Sequence, residues 1–394
     1  MDAPIIITVG ALLLLAYIFD ITSSKTRVPS IILLLLLGGL VKQATSLLKI
    51  EIPDLDPVLP ALGTIGLILI VLEGSLELEL KKTNLPLIRK STLAALLPIL
   101  ILSFSLGSVV YYFDPTITFK DSLSNVIPIS VISSAVAISS AKNLGKFQKE
   151  FITYESSLSD VFGVIFFNFV ALNRYIDQYT FGHFFLDLIV ILIISFATTI
   201  GLAYLLSRSE NQVKFLPIII LIIMIYFISK EFHLPALVFI VIFGLFIGNI
   251  NELNQYKLIH PLRTEILNLE IKKFKVLTIE FTFLIRALFF ILFGFLIKMK
   301  DLFNPNTILW AVAVTAFIFM VRAILLLIMK LPLKSLLFIS PRGLITILLF
   351  LTIPKTQSSI FVNNSIVIQI IILTVLVMML GLIFSGKESK GLKR

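Results

Sequence analysis

Apolar runs of membrane-spanning length alternate with short polar breaks along the whole sequence. A helix needs roughly 20 mainly apolar residues to cross the hydrocarbon core of a bilayer. The pattern predicts thirteen such spans, at about 3–19, 28–46, 57–79, 88–113, 122–142, 150–173, 180–207, 213–229, 234–252, 276–299, 305–330, 334–354 and 358–385. The expected fold class is therefore an all-α polytopic membrane protein. The longest polar gap, about 251–275, reads as a basic amphipathic linker lying on the membrane surface between two halves. No stretch is left over for a soluble domain, so 1–394 reads as one transmembrane unit. Ala3–Phe19 has little basic character before it and no small-residue cleavage site, and reads as a first span instead of a signal peptide.

Composition agrees: 58% of the 394 residues are hydrophobic and only 14% are charged. The net charge of +10 would point to nucleic acid in a soluble protein, but here its distribution explains it. Lys and Arg gather in the loops after odd-numbered spans, among them Lys25, Lys81, Lys146, Lys149 and Lys275. By the positive-inside rule those loops and the C-terminus are cytoplasmic and the N-terminus lies outside, across a cell (inner) membrane. With no cysteine there is neither disulfide nor thiol chemistry. His183, His233 and His260 show no metal-ligand spacing, and no phosphate loop or catalytic triad is present, so neither an enzyme nor a cofactor is expected.

Few ionisable groups fall inside the spans. They include Glu155 and Asp160 on the sixth, Arg322 on the eleventh and Arg342 on the twelfth. An ionised group at bilayer depth costs at least a few kcal/mol and marks a functional site by default. Two spans carry signs of interruption. The fifth contains NVIPISVISSAVAISSA, with Pro128 upstream of Ser133 and Ser134; the twelfth contains ISPRGLITI, with Pro341 and Arg342 in mid-span. Proline removes a backbone donor and clashes with the preceding turn. Non-helical backbone at this depth survives only where it is buried or lines a wet cavity. Two interrupted helices, one in each half, point to a transporter site built from inverted repeats.

On a helical sixth span, Ser156, Asp160, Gly163 and Phe167 share one face, so the Ser156 hydroxyl can stand beside the Asp160 carboxylate. Glu155 and Ser159 form a second pair displaced around the helix. With hydroxyls and carbonyls from the fifth span around Ser133 and Ser134, this is an oxygen-ligand set suited to a hard cation such as Na⁺ or K⁺ at Asp160. A single buried carboxylate then has two competing ligands, a proton and a cation. Reached from each side in turn, it would exchange one for the other.

These residues resemble the monovalent cation:proton antiporter superfamily, and within it the sodium/proton exchanger branch. The branch signature, roughly Glu-Ser-x-x-Asn-Asp-x-x-Gly, stands here as Glu155-Ser156-Ser157-Leu158-Ser159-Asp160-Val161-Phe162-Gly163, with Ser159 replacing the usual Asn. LEGSLELEL at 72–80, LPALVFIVIFGLFIGN at 234–249, FFILFG at 289–294, VRAILLL at 321–327 and PRG at 341–343 are similar in order and spacing. The resemblance implies a sodium/proton antiporter fold with two crossed broken helices. Core helices at about 57–173 and 276–385 would move against a dimerisation domain. It implies Asp160 as the ion- and proton-binding carboxylate and Ser156 as a coordinating hydroxyl. Glu155 and Arg322 would form a structural ion pair, and Arg342 would oppose the dipole ends of the broken helices. One departure stands out: where the family's broken fifth helix usually reads Thr-Asp-Pro, this chain reads Ser133-Ser134-Ala135. A carboxylate and a helix-breaking proline are both gone.

The expected activity is antiport of Na⁺, K⁺ or Li⁺ against H⁺, one for one and electroneutral, by a homodimer in the lipid bilayer and without nucleic acid. The alternatives are a potassium-efflux or sodium-coupled solute carrier on the same scaffold, or a non-transporting membrane sensor or subunit.

Overall fold

Long apolar helices account for nearly all of the chain. The computed structural model describes residues 3–26, 28–50, 55, 57–78, 84–141, 144–172, 178–208, 215–232, 234, 236–253 and 264–391. In chain order the helices are α1 (Ala3–Thr26), α2 (Ser30–Leu47), α3 (Val58–Glu77), α4 (Leu85–Phe113), α5 (Phe119–Ser130), α6 (Ser134–Ser140), α7 (Lys146–Leu172), α8 (Gln178–Arg208) and α9 (Phe215–Glu231). They continue as α10 (Ala236–Gly248), α11 (Ile250–Leu253), α12 (Thr264–Leu296), α13 (Met299–Leu302), α14 (Pro305–Ile328), α15 (Leu333–Leu336), α16 (Leu344–Thr352) and α17 (Asn364–Gly391). Among the described residues, seven helical stretches are long and apolar enough to cross a membrane, counting α5 and α6 together as one. Three shorter apolar stretches, Ile7–Thr22, Ile189–Leu205 and Ala236–Gly248, accompany them.

Local chemistry sets the helix starts around the site. Thr118 and Asp121 form a reciprocal capping box: the Asp121 N–H donates to Thr118 Oγ1 and the Thr118 N–H to the Asp121 carboxylate, which starts α5. Asn304 caps α14 by accepting from the Asn306 N–H, with Pro305 at the first helical position. Both predicted interruptions are present. Residues 131–133 are extended between α5 and α6, and residues 340–343 are non-helical between α15 and α16.

α3 lies at the centre of the bundle, packed on α7, α10 and α12. Gly244 and Gly248 make the α3–α10 contact possible, because a Cβ on Gly248 would come within 2.8 Å of the Leu76 carbonyl oxygen. On one side α4 packs on α5 and α7, and α14 packs on α17; on the other α2 packs along α12. The expected linker is different in detail. Its positions 254–263 lie outside the described residues, but Lys272, Lys273 and Lys275 belong to α12, which runs for 33 residues. Leu267, Ile271, Phe274 and Thr278 are buried at helical spacing, so an apolar stripe draws the polar stretch into the helix and leaves its lysines outward.

Candidate functional site

The site forms where the two interrupted helices cross beside α7. The extended segments are joined directly: the Ser133 N–H donates to the Pro341 carbonyl at 2.9 Å. The Ile132 N–H, freed by the break, donates to Ser159 Oγ at 3.0 Å. Arg342 supplies the other half of the accounting. Its Nε donates to the Ile129 carbonyl and its Nη2 to the Ser130 carbonyl at 3.3 Å, while Nη1 donates to the Ser340 carbonyl and hydroxyl at 3.0 and 2.9 Å. The last turn of α5 thus ends on a guanidinium, where a helix carries its partial negative charge. The backbone N–H of Arg342 is itself held by Thr374 Oγ1 of α17. The break therefore persists without a proline at position 135: side chains from α7 and the second broken helix satisfy the backbone groups that a helix would have paired internally.

α7 brings two carboxylates to this crossing and gives them different surroundings. Glu155 accepts both arms of Arg322, Nη1 to Oε1 at 2.8 Å and Nη2 to Oε2 at 2.9 Å, while Arg322 Nε donates to the Leu336 carbonyl at the end of α15. With Glu155 and Arg322 only 1% and 3% exposed, this bidentate pair ties α7, α14 and α15 together out of reach of solvent. Asp160 is also buried, but the Ser134 hydroxyl donates to its Oδ2 and its Oδ1 has no hydrogen-bond partner. A buried acceptor in this state is unusual.

The serines have distinct duties. Ser134 touches the carboxylate. Ser133 contributes its backbone to the crossing, and its side chain packs against Gly343, where a Cβ would come within 2.7 Å of Ser133 Oγ. Ser159 serves the broken backbone. Ser156 shares the face of Asp160, yet its hydroxyl donates to the Ile152 carbonyl of its own helix at 2.7 Å, leaving only its oxygen as a ligand. Gly163 faces Val131 of the extended segment. The carbonyls of Ile129, Ser130, Leu336 and Pro341 could not be singled out from sequence, since every residue carries one. Ser340 carried a signal, its place beside Pro341–Arg342 in a mid-span break.

A cavity of about 450 Å³ between α1, α3, α6 and α12 reaches Ser134. Asp20, Glu73, Glu77 and Glu280 line it together with Lys149 and Arg286. Lys149 places it at the end of α7 that carries the basic loops. A second cavity of about 500 Å³ at the other end touches Val164 and Phe167 of α7 but neither Ser134 nor Asp160. Of these two cavities, only the first is lined by a residue bonded to the carboxylate, Ser134.

The pattern of the transmembrane sodium/hydrogen exchanger family matches residues 10–386. No curated protein sequence matches the chain. Its fold is similar to the structure of the sodium proton antiporter MjNhaP1 from Methanocaldococcus jannaschii at pH 8, with a TM-score of 0.71 and 16% identity, covering 95% of each chain. An electron-microscopy structure of the same antiporter gives a TM-score of 0.70 and 18% identity over 98% of this chain and 97% of that one.

Proposed function

This chain belongs to the sodium/hydrogen exchanger family, and on that premise we propose that its cation:proton antiport runs through Asp160, where a monovalent cation and a proton compete for one carboxylate. The observation that carries the reading is the unpartnered Asp160 Oδ1 beside Ser134, a residue lining the vestibule, the cavity of about 450 Å³. Na⁺ is the expected cation, with K⁺ or Li⁺ as the other candidates. It would sit on Oδ1 with Ser134 Oγ and the Ser156 oxygen as neighbouring ligands. Ser133 and Ser159 would hold the broken backbone that shapes the site.

Four ionisable side chains surround the crossing: Asp160, Glu155, Arg322 and Arg342. Glu155 is occupied by Arg322, so only Asp160 changes its ligand during a cycle. Whether Asp160 carries Na⁺ or H⁺, the charge of the moving unit is the same, which supports electroneutral one-for-one exchange. The vestibule among the basic loops would be the cytoplasmic approach, with the C-terminus inside, the N-terminus outside and the protein in an inner membrane as a homodimer. Alternation would open the cavity beside Phe167 toward Asp160 while the vestibule closes.

The test is proton release from proteoliposomes challenged with Na⁺, K⁺ or Li⁺, with and without a clamped membrane potential. The expected result is exchange in the wild type, independent of potential, and none in Asp160→Asn. Full exchange by Asp160→Asn would remove the carboxylate from the mechanism. A flat signal from folded wild type under every cation would favour a non-transporting role.

A further inference from the structure

A cleft of about 260 Å³ separates α4 from α14, with the end of α5 as its floor. Its rim is aromatic: Phe113 meets Trp310 edge-on at 5.6 Å and Phe361 at 6.2 Å. From that rim it descends past Ser105 and Phe317 to Ile129, whose carbonyl accepts from Arg342. No charged side chain lines it. Along α4 the stretch from Phe113 to Ser105 rises about 12 Å, close to the depth of one leaflet in a hydrocarbon core about 30 Å thick. The aromatic rim lies at the end of the bundle opposite Lys146 and Lys149, at the level where aromatic residues mark a membrane–water boundary. The cleft opens on the outer surface, since its lining residues Val109, Phe113 and Trp310 are 43%, 49% and 39% exposed, and Leu309 and Val312 beside it on α14 are exposed and apolar. In a membrane-spanning chain this surface meets lipid.

We propose that this cleft binds one acyl chain of a phospholipid from the leaflet on that side, with the carbonyl-ester region level with Phe113 and Trp310 and the chain end against Ile129. Length, the uncharged lining and continuity with the lipid-facing surface select a hydrocarbon chain over an ion or a polar solute. The site is separate from Asp160 and from the vestibule, so its fate does not depend on the exchange reading.

Trp310 is the only tryptophan in the sequence, so its fluorescence reports the cleft alone. The full chain, purified in detergent, is titrated with phosphatidylcholine brominated part-way along one acyl chain. The expected result is quenching that saturates while brominated lipid is still a minor component of the micelle, and that excess unbrominated lipid reverses. Ala313→Phe, which fills the cleft from the exposed face of α14, should lose the saturable phase. Ala316→Phe, exposed on the same helix but outside the cleft, should keep it. Quenching that only follows the brominated share of the micelle, or a saturable phase that survives in Ala313→Phe, would overturn the assignment.

Discussion

The backbone N–H of Ser133 donates to the carbonyl of Pro341 at 2.9 Å, so the two interrupted helices are joined where both have lost their own hydrogen bonds. Gly343 permits this approach by packing, since its φ of −174° is open to any residue. A Cβ there would lie 3.1 Å from both Ser133 Cβ and Val136 Cγ2. Gly343→Ala is therefore expected to spread the crossing, lower stability by about 1–3 kcal/mol and slow exchange. Thermal unfolding in detergent and vesicle flux check both; wild-type values in the two together would contradict it.

Glu155→Gln leaves the Arg322 guanidinium buried without a counter-charge. A loss of about 3–5 kcal/mol is expected, as for other broken buried pairs. The double variant Glu155→Leu/Arg322→Leu should recover much of that stability. If the pair is a strut, the double variant also regains exchange that neither single variant retains. If Glu155 carries ions, the double variant folds and stays inactive.

Ser134→Ala removes the one side-chain donor to Asp160. A hydrogen bond to a charged group is worth about 1.5–3 kcal/mol, so the half-saturating cation concentration should rise about tenfold or more. Ser134→Thr keeps the hydroxyl and should stay near wild type. Concentration series of the driving cation in vesicles separate these outcomes.

Asp114, at the end of α4 outside the span, gives a pH dependence of stability. The hydroxyl of Thr116, with those of Ser359 and the N–H of Ile360, holds its carboxyl below the usual carboxylate range. A folded-state value below the unfolded one stabilises the fold above the usual range, and that contribution disappears as the pH falls through the lowered value. The unfolding temperature of wild type should therefore drop more steeply on acidification below pH about 4 than that of Asp114→Asn, which is expected to be less stable near neutrality. Parallel profiles would contradict it.

The sequence made the two carboxylates of α7 readable, because charges are so scarce in these spans that Glu155 and Asp160 stand out. The positions of both breaks were also legible, from Pro128 and the serines in one case and Pro341–Arg342–Gly343 in the other. What satisfies the breaks was not. Ser159 caps the Ile132 N–H and Arg342 caps the Ile129 and Ser130 carbonyls through contacts between helices distant in sequence, and backbone acceptors leave no mark in side-chain patterns. The same blindness applied to Ser156, which helical spacing placed beside Asp160 but whose hydroxyl turns to its own backbone. Lys272, Lys273 and Lys275 read as a loop because their charge outweighed the apolar stripe beneath them.

If Asp160 is the one exchangeable carboxylate, as proposed, and Glu155 stays locked to Arg322, what a cell can gain from this protein is also limited. An exchanger that swaps one cation for one proton settles where the two concentration ratios are equal, and each unit of pH difference sustains about a tenfold cation gradient. Membrane voltage adds nothing to that balance. Such an exchanger keeps the same set point in a de-energised cell, provided an acid–base difference persists, and reverses as soon as the cation ratio exceeds the proton ratio.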